Sequence, residues 1–253
     1  MSQAKHYLGI DVGASGIKGA IVDVTTGTLL TDRLRVPTPQ PATPDAMTVA
    51  FGELYKRFGY RGEVVGVGFP AIVRNGVALS AANIAPDWIR TSVAERFGKA
   101  CGKRVYVLND ADAAGLASTA YGTAQDASGV TVFLTIGTGI GSALFIHNEL
   151  VPNSEFGHVY MPNGMKAEHY ASSKTRKTLD LGWEVWGQRF NEVLAQLDRV
   201  LSPDLYILGG GASKHFETYK HTLDTPTPVV PAEYQNEAGS VGAAIYAYRQ
   251  SQR

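Results

Sequence analysis

An α/β protein made of two related halves with a cleft between them is what this sequence predicts, and three observations carry that prediction. Strand-like and helix-like segments alternate along the 253 residues, as in layered α/β architectures. Two apolar hairpins broken by glycines, "LGIDVGASGIKGAIVDV" (8–24) and "VTVFLTIGTGIGSALFI" (130–146), repeat one design about 124 residues apart, with Asp11 standing where the second copy has Thr135. Each copy leads into further strands and helices, and related halves commonly leave a ligand-binding cleft between them. The expected division is a small α/β domain over 1–108 completed by a C-terminal helix at 239–253, and a larger α/β domain over 109–238.

The elements follow from local pattern. Tyr7–Val12 and Gly19–Val24 are β-branched strands around a glycine turn, and Leu29–Val36 reads as a third strand. The proline-rich "VPTPQPATP" (36–44) connects to a helix capped by Thr43 with Pro44 at its first position. Met47, Phe51, Leu54, Tyr55 and Phe58 recur at helical spacing and face the core. Val64–Phe69 and Arg104–Leu108 are short apolar strands. Ser92 with Glu95 three residues on predicts a capping box for a helix over 93–100, and the alanine-rich 111–121 predicts a helix ending at Gly122. Residues 147–179 read as polar and irregular. A long amphipathic helix over 180–201 buries Trp186, Phe190, Val193, Leu194 and Leu197 along one face. "PDLYILGGGAS" (203–213) is a strand entering a glycine turn, and 238–250 is a closing helix.

Composition narrows the function classes. Lys plus Arg number 23 and Asp plus Glu number 23, so overall charge gives no support to a nucleic-acid partner. The single cysteine, Cys101, excludes an intramolecular disulfide and a cysteine-based zinc site, and reads as a small buried apolar residue. The opening "MSQAKHY" has no apolar signal region, and no run of the sequence is long enough to span a membrane. A cytoplasmic enzyme is the expectation.

The glycine turns carry the chemistry. Gly13, Gly16 and Gly19, and again Gly137, Gly139 and Gly141, let backbone approach a ligand closely and leave N–H groups free to face an anion. Taken singly, either turn reads equally well as a tight hairpin needing positive φ. Two matched turns, with Asp11 and Lys18 in the first, favour phosphate. No GxxxxGK[ST] is present, which excludes a P-loop. "GTGIG" runs into the strand "SALFI" instead of a helix, which excludes the dinucleotide fingerprint.

A β-hairpin phosphate cradle used twice resembles the sugar-kinase, actin and heat-shock ATPase superfamily. "GIDVGASGIKGAIVD" is similar to its first phosphate motif, "LTIGTGIGSALF" to its second, and "DLYILGGGAS" to its nucleotide-side motif. Within that superfamily the chain most resembles the ROK sugar kinases, and among them the polyphosphate-dependent glucokinases, over about residues 7–250. The resemblance implies an actin-like, ribonuclease H-like fold. It also implies phosphoryl transfer to the 6-hydroxyl of glucose from polyphosphate or ATP with Mg²⁺, and a homodimer. Asp11 at a strand end is then the Mg²⁺ partner through water. Gly13, Ser15, Gly16, Lys18, Thr135, Gly137, Thr138, Gly139, Gly210 and Gly211 face the donor phosphates.

On the sugar side, "NDADAAG" (109–115) directly follows a strand. An Asp there can accept a proton from a hydroxyl nucleophile, worth about 10²–10⁴-fold, and the resemblance makes Asp110 that base with Asn109 beside it on ring hydroxyls. By local pattern alone, these residues also read as the N-cap and first-turn acids of the next helix, with Asp112 structural. "SEFGHVYMP" (154–162) is similar to the family's E-x-G-H signature and "KAEHYAS" (166–172) to its second glutamate segment. The resemblance therefore implies Glu155, His158 and Glu168 as sugar ligands, and "NIAPDW" (83–88) adds Asn83. Most of the family follows the E-x-G-H histidine with a cysteine-rich zinc loop. This chain has "VYMPNGMKAEHY" there, so no structural zinc is expected. Lys166, Lys174, Arg176 and Lys177 lie within twelve residues holding one acid, Glu168. They read as a solvated loop or, given the subfamily, as a basic track for polyphosphate.

Three alternatives remain open to the sequence. An ATP-dependent hexokinase for fructose, mannose or an N-acetylhexosamine would be separated by donor competition and a sugar panel. A sugar-sensing regulator would need a DNA-binding domain before residue 7. An actin-like filament protein has no use for E-x-G-H and would polymerise on nucleotide.

Overall fold

The computed structural model describes residues 5–122, 124–234 and 236–253. The first four residues, included in the reading of the N-terminus above, lie outside them. The described chain divides into two compact units, one of residues 1–117 with 237–253 and one of 118–236.

In the first unit, β1 (His6–Gly13) turns through Ala14 and Ser15 into β2 (Gly16–Asp23), with Asp11 directly opposite Lys18 and Gly13 opposite Gly16. The expected third strand is two short ones, β3 (Thr28–Leu29) and β4 (Leu34–Pro37), both paired with β2. Thr31 causes the break: its Oγ1 accepts the Ile21 N–H at 3.1 Å, where a strand carbonyl would have stood. Helix α1 (Pro44–Arg57) starts at Thr43, whose side chain accepts from the Ala46 N–H. Then come β5 (Val64–Phe69), parallel to β1, and the small ribbon of β6 (Val73–Arg74) and β7 (Val77–Ala78). Helix α2 (Val93–Cys101) is capped by Ser92, which accepts from the Glu95 N–H. Strand β8 (Arg104–Asn109) lies parallel to β5 and runs straight into α3 (Asp110–Tyr121).

The second unit repeats this plan. Strands β9 (Val130–Ile136) and β10 (Ile140–Ile146) form the second hairpin around 137–139. Strand β11 (Glu149–Val151) and the short helices α4 (Ala167–Ala171) and α5 (Ser173–Thr178) occupy the stretch expected to be irregular. Five- and six-residue helices carry too little periodicity to stand out in sequence. Helix α6 (Trp183–Leu201) begins three residues later than expected, because Asp180 sits at φ +48° and Gly182 takes the extended cap position. Strands β12 (Leu205–Gly210) and β13 (Val229–Pro231), with α7 (Phe216–Tyr219) between them, complete the unit, and α8 (Ala238–Ser251) belongs to the first unit.

The two sheets have matching orders, β3-β2-β1-β5-β8 and β11-β10-β9-β12-β13. In each, the first hairpin strand lies antiparallel to the second and parallel to the next strand. Asp11 therefore faces Gly68 of β5, as Thr135 faces Gly209 of β12. The turns differ: two residues in the first copy, three in the second. Gly19 and Gly141 sit inside strands, opposite Ile10 and Thr135, so each turn proper holds two glycines at its edges instead of three.

Alternation along β1 decides where Asp11 points. Leu8, Ile10 and Val12 join the core with Met47, Phe51 and Leu54 of α1 and Phe97 of α2, where Phe51 stacks on Phe97 at 4.2 Å. Gly9 and Asp11 face the other way, toward α8. That helix packs against bare backbone: a Cβ on Gly66 would stand 1.8 Å from the Ala243 carbonyl oxygen, and one on Gly242 only 1.6 Å from that of Ala113. In the second unit α6 presents Trp186, Phe190, Val193, Leu194 and Leu197 to Val132, Leu134, Tyr206 and Leu208, all buried, as the periodicity predicted. Among the described residues no helix is long and apolar enough to cross a membrane.

Gly242→Ala drives a methyl into fixed backbone, so it should lower stability by about 3 kcal/mol, a fall of roughly 6–12 °C in thermal midpoint. Gly52→Ala in α1 meets nothing nearer than 3.7 Å and should raise stability by up to about 1 kcal/mol. Thermal melts of the two variants check both.

Candidate active site

The first turn is tied down from behind. Thr38 Oγ1 donates to the Gly13 carbonyl at 2.5 Å, Arg35 Nη2 to the Ser15 carbonyl at 2.6 Å, and Gln40 Nε2 to the Ala14 carbonyl at 3.5 Å. With Gly13, Ala14 and Ser15 all giving their carbonyls to side chains, the turn is fixed without its N–H groups being used for that purpose. Arg35 fills the space beside Gly16, where a Cβ would stand 2.4 Å from its Nε. Neither Gly13 nor Gly16 takes a positive φ, so the simple turn-former reading fails here.

Asp11 carries the one acid of this turn. Lys18 Nζ stands 3.8 Å from its Oδ2, and the Asp11 side chain is 20 % exposed. Burial pushes its carboxyl above the usual carboxylate range, against the opposing pull of Lys18 and Arg33. Gly239, in the first turn of α8, packs directly on the carboxyl group, with a Cβ there falling 2.7 Å from Asp11 Cγ. No group of three or more His, Cys, Asp or Glu among the described residues could hold a metal. A divalent cation here would depend on Asp11, water and ligand oxygens, which suits Mg²⁺, an ion that keeps much of its hydration.

The second turn opens into a cavity. Gly137, Thr138, Ser173, Lys174, Arg176, Lys177, Trp183, Gly211 and His215 are among the residues lining a space of about 500 Å³. A Cβ on Gly137 would meet nothing within 4 Å, and its φ is not positive. Neither a positive φ nor close protein packing calls for glycine there, and its bare backbone faces open space. The turn is braced by the Lys174 N–H donating to the Gly137 carbonyl at 3.2 Å and by Ser173 Oγ donating to that of Ile136 at 3.3 Å. Gly210 has φ +77°, and a Cβ on it would stand 2.7 Å from Ile136 backbone. Thr135 lies on β9 opposite Gly141 and Gly209. Three of the four basic residues singled out by sequence line this cavity. Lys166 does not: it precedes α4, where its charge acts on Glu155.

Asn109 ends β8 buried, at 8 % exposure. Its Oδ1 accepts the Ala111 and Asp112 N–H groups at 2.8 and 3.2 Å, and its Nδ2 donates to the Ala71 carbonyl at 3.1 Å. It therefore caps α3, and these bonds use its side-chain oxygen and one of its two amide N–H groups. Asp110 opens α3, with Oδ1 accepting the Ala111 N–H at 2.9 Å, and Asp112 is fully buried. Asn83 is exposed in the loop before the turn at 86–88.

The E-x-G-H residues form one cluster. His158 Nδ1 stands 3.8 Å from Glu155 Oε2, and its Nε2 3.4 Å from Glu168 Oε1. Gly157 lets this turn press on β10, since a Cβ there would fall 2.0 Å from the Ile140 carbonyl oxygen. Glu168 Oε2 lies where a Cβ on Gly139 would be, at 2.5 Å, so this acid touches the second phosphate turn. Burial raises the Glu155 carboxyl above its usual range, while His158 draws it down. The stretch after His158 is braced by backbone: the Met161 N–H donates to the Met165 carbonyl, that of Gly164 to Met161, and that of Ala167 to Val159. Cys101 is half-buried in α2, its thiol raised by burial.

Residues 7–179 match the model of the ROK family. This chain belongs to that family. Polyphosphate glucokinase of Mycobacterium tuberculosis is 46 % identical over 242 residues, covering 95 % of this chain and 91 % of that protein. The Mycobacterium leprae polyphosphate glucokinase is 42 % identical over 238 residues, covering 94 % and 73 %. The crystal structure of an inorganic polyphosphate/ATP-glucomannokinase from Arthrobacter sp. strain KM superposes with a TM-score of 0.91 at 42 % identity, covering 97 % of this chain and 99 % of that one. The expected actin-like fold is that of this ROK chain.

Sequence reasoning missed Thr38, Arg35, Gln40 and Arg33 around the first turn, and Trp183 and His215 in the cavity. Arg33 and Arg35 lay in or beside the expected third strand, Thr38 and Gln40 in the proline-rich stretch, Trp183 on a core-facing helix and His215 beyond the third glycine turn, and none of these patterns marks such a contact.

The raised Asp11 carboxyl has a consequence for stability. Its folded affinity for a proton exceeds the unfolded one, so its favourable contribution is present at low pH and is lost as pH rises through the folded value. Asp11→Asn should therefore melt higher than the parent protein at pH 7. The gap should close as pH falls toward about 4, the unfolded carboxylate value. Melting curves across that range check it.

Proposed function

We propose that this chain is a polyphosphate-dependent glucokinase, transferring a terminal phosphoryl group from inorganic polyphosphate to the 6-hydroxyl of glucose. The observation that carries the reading is the cavity in which Gly137 and Thr138 of the second phosphate turn share walls with Lys174, Arg176 and Lys177. A phosphate turn that opens beside three cations suits a donor charged along its length. The relatives that match nearly end to end are named for the same donor and acceptor.

In this reading Asp110 takes the proton from the 6-hydroxyl. The sugar oxygen attacks the terminal phosphorus, and the bond to the bridging oxygen breaks. The shortened polyphosphate then leaves with the electron pair. Asn83, Asn109, Glu155, His158 and Glu168 hold ring hydroxyls, each of which needs a partner once out of water. Gly13, Ser15, Gly16, Lys18, Thr135, Thr138, Gly139, Gly210 and Gly211 flank the donor. Asp11 would hold Mg²⁺ through water, and the ion would supply neutralising charge, since phosphoryl transfer depends on positioning and charge stabilisation. The reading includes a homodimer in the cytoplasm. ATP as second donor and mannose as second acceptor are favoured by the Arthrobacter relative, whose name carries both.

Glucose and Mg²⁺ with either polyphosphate or ATP, assayed for glucose 6-phosphate, test the proposal. Product from ATP alone would overturn it. Asp110→Asn should lower turnover by about 10²–10⁴-fold while glucose affinity, by calorimetry, holds. Near-normal turnover would remove Asp110 as the base. Neutralising Lys174 and Lys177 together should raise the KM for long polyphosphate more than that for ATP, and equal rises would argue against the track.

A further inference from the structure

The three cations of the cavity are held differently. Lys174 and Lys177 are exposed, and among the described residues their side chains make no hydrogen bond or ion pair. Arg176 is half-buried and anchored twice by the stretch that follows it. Its Nη1 donates to the Leu181 carbonyl at 2.9 Å, and its guanidinium carbon lies 4.1 Å from the centre of the Trp183 ring. Its Nε is enclosed, with no hydrogen-bond partner among the described residues. The indole is itself fixed. His215 stacks on it at 4.4 Å and 24°, Trp186 meets it edge-on at 5.4 Å, and Trp183 opens α6.

We infer that Trp183 is a positioning residue for the phosphoryl donor. Its ring, steadied by His215, holds the Arg176 guanidinium in one orientation over the second phosphate turn, so that the donor is registered by a fixed fork while Lys174 and Lys177 add only mobile charge. A guanidinium presents paired N–H groups in a rigid plane that matches phosphate oxygens, and it stacks on aromatic faces. An ammonium does neither as well. The Trp183 ring thus serves an arginine. This inference rests on the reading of the cavity as the donor site.

Binding of inorganic tripolyphosphate to the full chain, by calorimetry, reads the inference directly, and steady-state kinetics with glucose and polyphosphate read its consequence. Trp183→Leu should weaken tripolyphosphate binding and raise the KM for polyphosphate by about fivefold, the size of one partly buried cation–π contact. Turnover number and the KM for glucose should be unchanged. Trp183→Phe, which keeps an aromatic face, should restore most of the affinity. Arg176→Lys should match Trp183→Leu, and the double variant should be no worse than Arg176→Lys alone. Tripolyphosphate affinity within twofold of the parent in Trp183→Leu, or additive losses in the double variant, would overturn the assignment. Should Trp183→Leu not fold, a normal affinity in Arg176→Lys, or a fivefold loss in Trp183→Phe, would overturn it instead. A parent protein that binds tripolyphosphate yet makes no glucose 6-phosphate from polyphosphate defeats the proposed function, while the calorimetric comparison still judges Trp183.

Discussion

Backbone N–H groups can hold a polyanion only where the neighbouring carbonyl oxygens are turned away from it, since a carbonyl dipole facing a phosphate repels it. Both turns have carbonyls tied down from behind, by different means, and in the second the Gly137 N–H is itself given to the Gly139 carbonyl at 3.0 Å. In the first, side chains from a neighbouring edge strand and the segment after it, Arg35, Thr38 and Gln40, take the carbonyls of Gly13, Ala14 and Ser15. In the second, the start of α5 does so, through the Lys174 N–H and the Ser173 hydroxyl. The second solution brings the basic residues of α5 to the turn, so one short helix both braces the loop and supplies charge beside it.

The same segment joins two chemistries inside the second unit. Residues 168–177 begin with Glu168, whose carboxylate touches Gly139 and stands beside His158, and end with Arg176 and Lys177 in the cavity. An acid of the His158 cluster and the cations of the cavity are thus held on ten consecutive residues clamped to a single turn. The carboxyls of Asp11 and Glu155 are both raised by burial. Groups held away from water without full compensation cost stability.

In the first unit the stage for Asp11 is set by small residues. Gly9 and Gly66 on the sheet and Gly242 on α8 let helix and strands approach to backbone contact. That brings the first turn of α8, at Gly239, onto the Asp11 carboxyl. A helix from the far end of the chain therefore forms part of the environment of a residue near its start.

The amino-acid sequence by itself determined the duplicated hairpins, nearly every longer element, the buried face of α6, the caps of α1 and α2, and the residue types suited to phosphate and sugar. Those signals are local: periodicity, capping pairs and turn spacing act within a few residues. Only the tertiary structure decided which groups meet. It joined Lys174, Arg176 and Lys177 to the second turn and put Lys166 with Glu155. It split the third strand at Thr31. It also laid Trp183 against Arg176 and removed positive φ as the reason for the glycines of the two hairpin turns, while keeping it for Gly210. Each of these rests on contacts between segments far apart in the chain or on the direction of one side chain, and neither leaves a repeating mark in sequence.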